Sequence, residues 1–208
     1  NVDAFFGRVE LPGIDATTRV ESGVHTGSFI GFKGQEDLGG GLKAFFALES
    51  DITLDDGGTV DNFWGRTSEL GLAGDFGTIK LGNSRSLGFL ANAAYNPFPV
   101  TGWMNASEGL NGFGNYTDAV TYMSPNLSGF TAAVQAGLSE VDGTKNDFGL
   151  ALNYNAGPLA IGFNYADEFD GEADRWQLGA SYDFGVVKAF LQYGQNEVDG
   201  IDEKTKFF

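Results

Sequence analysis

Large apolar residues alternate with small or polar ones along most of this chain, with a period of two. The later segments show it most cleanly. Phe148, Leu150, Leu152 and Tyr154 alternate with Asp147, Gly149, Ala151 and Asn153. After the turn Asn155-Ala156-Gly157-Pro158 the pattern resumes with Leu159, Ile161, Phe163 and Tyr165. Trp176, Leu178, Ala180 and Tyr182 carry it again, and past Asp183-Phe184-Gly185 so do Val187, Ala189, Leu191 and Tyr193. Such alternation, punctuated by Gly and Asn, predicts antiparallel strands with one buried face. Residues 5–11, 28–35, 42–52, 64–73, 78–83, 120–122 and 130–136 follow the same plan. The total is about eleven strands, with another beginning at 204–208.

The sense of the two faces decides the class. The large residues share one face, and the other carries Gly, Ala, Ser, Asn and Gln with scattered charge. A soluble sandwich or small barrel packs its large side chains inward. Here that order is reversed, which predicts lipid outside and a polar lumen inside. Tyr154, Tyr165, Tyr182 and Tyr193 fall toward strand ends, where an interfacial aromatic girdle belongs. Short Gly turns alternate with longer acidic loops, giving one trim rim and one elaborate rim. The expected fold is all-β, a transmembrane antiparallel up-and-down β-barrel, with residues 1–208 forming a single domain. In this register Ile30 and Phe32 face lipid, while Gly31, Lys33, Gln35, Lys43, Glu49, Asp51 and Lys80 face the lumen. Glu69 falls with Thr67 and Gly71 on the lipid side. A charge there costs a few kcal/mol, so a subunit interface or a bulge is expected at that point.

One stretch, 85–117, breaks the pattern. RSLGFLANAAYNPFPVTGWMNASEGLNGFGNYT reads as neither strand nor helix, yet it is rich in Phe, Leu, Ala and Trp. A long, partly apolar loop in a compact domain is usually functional. It is expected to fold into the barrel interior, with Phe98, Trp103, Phe113 and Tyr116 anchoring it to the wall or else lining a narrow passage.

Composition narrows the function. A net charge of -16 argues against nucleic acid as a partner, since phosphates need Lys and Arg. No run approaches the roughly 20 apolar residues of a membrane helix, which excludes a helical membrane protein but not a barrel, whose alternating strands average to a neutral hydropathy such as the -0.14 found here. The N-terminal residues lack the charged and apolar regions of a signal peptide. With no Cys there is no thiolate chemistry. The acidic groups Asp167-Glu168-Asp170-Glu172-Asp174 and Glu197-Asp199-Asp202-Glu203 offer hard oxygen ligands for Ca²⁺, with Asp167, Asp170 and Asp174 the best candidates. They fit no EF-hand, and solvated loops are the plainer expectation, so no cofactor is expected. The single histidine, His25, has Ser22 and Ser28 nearby but no nucleophile motif around it, which argues against an enzyme such as an outer-membrane phospholipase.

Three stretches carry a family likeness. IGFKGQEDLGGGLKA (30–44), WGRTSELGLAGDFGTIKLG (64–82) and YMSPNLSGF (122–130) resemble, in the right order, turns and hairpins of the Gram-negative general diffusion porins. The resemblance implies a homotrimer of 16-stranded barrels in the outer membrane, in contact with lipid and lipopolysaccharide, passing ions and small hydrophilic solutes. About 11–12 of those strands are read here, so the chain is expected to be an N-terminal portion. By position, 85–117 corresponds to the family's constriction loop, whose acids face basic residues on the wall. Arg8 and Arg66 align with family basic positions, and Lys33 and Lys80 share the inward register. Ile30 and Asn83 stand where the family often has Arg, and Arg85 replaces the latter. The loop carries a single acid, Glu108. Together with inward Glu10, Glu49 and Asp51 this implies a weak transverse field and cation preference. The competing expectation is a structural or adhesive barrel with no open pore.

Overall fold

The computed structural model describes residues 1–11, 14–23, 26–60, 62–97, 114–168, 173–198 and 205–207. Its first two strands, β1 (Ala4–Leu11) and β2 (Ile14–Ser22), form a hairpin of their own. The next eleven form one antiparallel sheet in sequence order. They are β3 (Phe29–Gly39), β4 (Leu42–Asp51), β5 (Thr67–Gly74), β6 (Gly77–Arg85), β7 (Asn115–Met123) and β8 (Phe130–Gly137). They continue with β9 (Asp147–Ala156), β10 (Leu159–Glu168), β11 (Ala173–Asp183), β12 (Lys188–Val198) and β13 (Thr205–Phe207). Every strand pairs with its sequence neighbour, which is the up-and-down order the alternation implied. Short turns join β3–β4, β5–β6, β7–β8, β9–β10 and β11–β12 at one end, and the long connections β4–β5, β6–β7 and β8–β9 lie at the other.

The sheet is inside out relative to a soluble protein. Its largest fully buried side chains are Gln135, Gln177 and Asn164, whereas Leu70, Leu81, Phe130, Leu152 and Leu191 are exposed. Directly opposed residues share a face, so the registers can be followed across the sheet. Gly71, Lys80, Thr121, Gln135, Gly149, Ala166 and Arg175 form one continuous inward row. Aromatic pairs mark both ends of the outward face. Phe130 stacks on Tyr154 and Tyr182 on Phe184 near the short turns, with ring centroids 4.3 and 4.6 Å apart. The Tyr122 hydroxyl donates to the Phe76 carbonyl at 2.8 Å in the same band. Toward the long loops Trp176 meets Tyr193 edge-on at 5.6 Å, next to Tyr165 across the strand pair.

Three expectations change. No strand was expected between Leu11 and Ser28, yet β2 is there; it pairs only with β1, so no second contact reinforces its pattern. Asp3 ties this hairpin to the start of β3: its amide donates to Ser28 Oγ, and its carboxylate accepts from the Thr26 amide, both at 2.8 Å. His25 lies outside the described residues. Second, the strand expected from Trp64 begins at Thr67, and Glu69 does not face lipid. It lies opposite Gly82 in the inward register, while Leu70 opposes Leu81 outside. Third, the stretch read as neither strand nor helix contains α1 (Leu87–Ala94). Ser86 caps it, its hydroxyl accepting from the Phe89 amide at 3.1 Å, which satisfies a donor that the first turn leaves orphaned.

Candidate pore wall and loop

Helix α1 leaves β6 and lies on the inward face of β8 to β11. The seat is specific. Leu87 packs on Ala133 and Ala151, the only buried hydrophobic cluster among the described residues. Gln135 clamps the helix entry from both sides: its Oε1 accepts from the Leu87 amide at 3.1 Å, and its Nε2 donates to the Arg85 carbonyl at 3.2 Å. From β12, Gln192 Nε2 donates to the Asn92 carbonyl at 3.0 Å. At the far end the Tyr95 ring lies on a flat patch made by Gly162 and Gly179, which oppose each other on β10 and β11. A Cβ on Gly179 would stand 2.2 Å from Tyr95 Cδ2, and one on Gly162 would stand 2.5 Å from Tyr95 Oη. Helix α1 and Tyr95 therefore lie against this face because the wall offers small residues and amide side chains where they land.

The chain returns to the wall through a β-bulge. Ser84 pairs with Tyr116 and Gly82 with Ala119, so Thr117 and Asp118 together oppose Asn83. Asp118 takes φ 48°, a left-handed conformation that absorbs the extra residue. Tyr116 and Ala119 consequently both face inward, and both are buried. Asn115 fastens the connection before β5, its Nδ2 donating to the Arg66 carbonyl at 2.8 Å and to Asn83 Oδ1 at 2.9 Å.

The wall charges are arranged as compensated groups. Arg66 donates from Nη1 to Asp51 Oδ1 at 2.7 Å and from Nε to Glu49 Oε2 at 3.1 Å, with its guanidinium 4.1 Å above the Phe29 ring. Lys80 Nζ reaches Glu69 Oε2 at 2.9 Å, and Ser84 Oγ donates to the same oxygen at 2.6 Å. Arg175 and Glu168 pair at 2.7 Å, with side chains only 5% and 3% exposed. Arg85 lies over Phe89 of α1, 4.7 Å from the ring centroid, and is half-buried.

The structure thus brings Glu49, Arg66 and Arg85 together, and places Lys80 on the same wall. Lys33 is exposed on β3, inward but apart from them. Arg8 is exposed on the β1–β2 hairpin opposite Thr18, off the eleven-stranded sheet. Glu108 and the aromatics Phe98, Trp103 and Phe113 lie outside the described residues. Sequence reading missed the Tyr95 seat and the partners Glu69 and Glu168. The signal for the seat was there: Gly162 and Gly179 fall in the inward phase of adjacent strands. The acidic groups also resolve. Asp167 and Asp174 oppose each other on the outward side, where the Tyr165 hydroxyl donates to Asp174, while Glu168 points inward to Arg175. Asp170 lies outside the described residues, among which no three acids or histidines gather to hold a metal. In the loop after β4, the Thr53 hydroxyl and the Gly58 amide bind the Asp56 carboxylate and hold its pKa below the usual range.

Comparison with known proteins agrees with this geometry. The Gram-negative porin family matches residues 1–207. Outer membrane porin protein 32 of Delftia acidovorans is 32% identical over 208 residues, covering 89% of this chain and 56% of the relative. The major outer membrane protein P.IA of Neisseria meningitidis serogroup C is 41% identical over 127 residues, 57% of this chain and 31% of its own length. The present chain thus spans about half the length of the first relative and a third of the second. Among solved structures, the anion-selective porin from Comamonas acidovorans superposes with a TM-score of 0.78 at 29% identity, over 99% of this chain and 69% of that one. Salmonella typhi OmpF shares the fold, with a TM-score of 0.68 at 14% identity over 93% of this chain and 62% of its own. The outward apolar face, the polar wall and the helix laid across it match these outer-membrane porins, and the chain belongs to the Gram-negative porin family.

Proposed function

We propose that the protein bearing this chain is a passive channel for ions and small hydrophilic solutes, with 85–117 as its constriction loop. The observation that carries the reading is α1 seated on a polar wall. A barrel filled for stability alone would place apolar side chains there, whereas this wall buries Gln135, Asn164 and Gln177 and leaves both amide groups of Asn164 and Gln177 without partners among the described residues. Unsatisfied buried amides cost about 1–3 kcal/mol each, so the interior is suited to water.

Charge supports a mild cation preference. Arg66 and Lys80 are neutralised by Glu49, Asp51 and Glu69 on the wall itself. The net charge of -16 then sits largely in loops, where it enriches cations at the entrance. This departs from the anion selectivity in the name of the Comamonas relative. The protein works as a homotrimer against lipid and lipopolysaccharide, with no cofactor and no bound Ca²⁺. Recording the full-length protein in a planar bilayer under a salt gradient tests the reading. Currents stepping in threes with a cation-selective reversal potential are expected. Correctly folded protein that passes no current would refute the channel and favour a structural or adhesive barrel.

A further inference from the structure

We propose that the hollow between α1 and the wall, on the short-turn side of the helix, is a binding site for amphipathic carboxylates, a hydrocarbon body with one anionic head. Its effect on conduction rests on the channel reading above; the binding itself does not. The cavity measures about 340 Å³, within the range of small-molecule sites. Its roof is one stripe of α1, formed by Leu87, Leu90, Ala91 and Ala94, at the spacing that shares a helix face. Leu87 is seated against Ala133 and Ala151, but Leu90 remains 42% exposed. The wall beneath it offers nothing large, only Thr131, Ala160 and Ser181 with the amides of Asn153 and Asn155. Tyr95 lines the same hollow, its hydroxyl 3.5 Å from Asn153 Oδ1. Water satisfies this floor and leaves the roof an apolar strip in an aqueous lumen. A hydrocarbon chain laid under the strip removes Leu90 from water, which is favourable in proportion to the area covered.

Lys188 places the head. It lines the cavity at the start of β12, on the inward face, followed there by Phe190 and by Gln192, which holds Asn92 of α1. Its Nζ lies 5.2 Å from the centroid of the Phe190 ring. Among the described residues it enters no ion pair. Asp183 stands opposite it in the register, but that carboxylate is engaged in the turn, accepting from the Gly185 amide at 2.7 Å. A carboxylate at this point meets an ammonium, with the apolar stripe of α1 beside it for the chain.

Chain length separates such a site from a basic lining that attracts any anion. The full-length protein is recorded in a planar bilayer while acetate, butyrate, hexanoate and octanoate are added in turn on the side of the short turns. Saturable block of the current is expected, tightening about threefold for each methylene beyond butyrate, with none from acetate. Octanol, the chain without the charge, is expected to block about fivefold more weakly than octanoate. Lys188→Gln should weaken octanoate to a similar extent, and Leu90→Ser should flatten the dependence on chain length. Lys43→Gln removes an exposed inward lysine at the short-turn end of β4 and should change neither. Equal block by acetate and octanoate, equal block by octanol and octanoate, or an unmoved Lys188→Gln would overturn the inference. Calorimetric titration of octanoate into nanodiscs bearing the protein, set against empty nanodiscs, keeps the two readings apart. Saturable heat from a protein that passes no current would overturn the channel and leave the site standing. Current with neither block nor saturable heat would overturn the site and leave the channel standing.

Discussion

The seat of Tyr95 permits a sharp test, because one small change can be made at three inward glycines with three different surroundings. At Gly179 an added methyl would stand 2.2 Å from Tyr95 Cδ2 and 2.4 Å from its Cγ. At Gly162 it would meet both Tyr95 Oη and Asn153 Oδ1, at 2.5 and 2.7 Å. At Gly149 the nearest atoms are 3.7 Å away, an ordinary contact. None of the three takes a left-handed φ, so Ala strains no backbone, and at Gly179 the nearest atoms all belong to Tyr95. Tyr95 is 4% exposed, and burying a large side chain fully stabilises by about 1.5–3 kcal/mol. Gly179→Ala should lift the ring off its patch and forfeit roughly 2 kcal/mol of docking, which lowers the docked-to-undocked ratio by about thirtyfold. Single-channel recording should then show added open-state noise or a second, larger conductance level. Hydrogen exchange should show α1 amides less protected, with the strand amides unchanged. Gly162→Ala should behave similarly, and Gly149→Ala like the unaltered protein. If Gly179→Ala and Gly149→Ala give the same traces and the same exchange, Tyr95 is not what holds the loop.

Other expectations concern the charges and the two faces. Lys80→Met strands Glu69 on the wall with only Ser84 as partner; a loss of about 1–3 kcal/mol is expected, largely restored by Glu69→Gln, in thermal unfolding followed by the loss of β-sheet signal. Leu178→Lys, on the outward face, should cost about 2–4 kcal/mol of folding into vesicles, while Gln35→Lys, at an exposed position of the inward face, should cost far less in the same assay. Asp56 titrates below the usual carboxylate range, so its bonds to Thr53 and Gly58 persist above that range and are lost as pH falls through the depressed value. Thr53→Val should bring its titration, followed by NMR, back toward ordinary, and an unchanged midpoint would refute the assignment. EDTA should leave the melting temperature of the micelle-bound protein unchanged, since Asp167 and Glu168 lie on opposite faces.

The strands were legible because a two-residue period survives any tertiary context: Leu152 and Asn153 reveal their faces from sequence alone. The same rule placed Lys33, Glu49 and Lys80 on the lumen side. It failed at β5, where extending the strand back to Trp64 hid the phase that Leu70 and Leu72 set. It failed at α1 because eight residues are too few for a helical period to emerge before Asn96-Pro97 ends it; only Ser86, read as a cap, would have announced it. The ion pairs were not legible at all. Arg66 meets Glu49 and Asp51 across residues 15–17 positions apart, a distance along the chain that no local pattern encodes. That is why Arg66 and Lys80, read as inward bases with no assigned partners, turned out to be paired.

Burial of Gln135, Asn164 and Gln177 in the middle, with Leu and Phe outermost, also decides where this chain can fold. A soluble domain collapses because its centre sheds water; this centre is wet by composition and supplies no such pull. The driving force is instead held on the rim of the molecule and is released only when hydrocarbon meets it. In bulk water the same outward leucines would find one another between chains, and the product would be aggregate. The bilayer is therefore a reactant in folding, and its thickness should govern the rate as directly as any residue does.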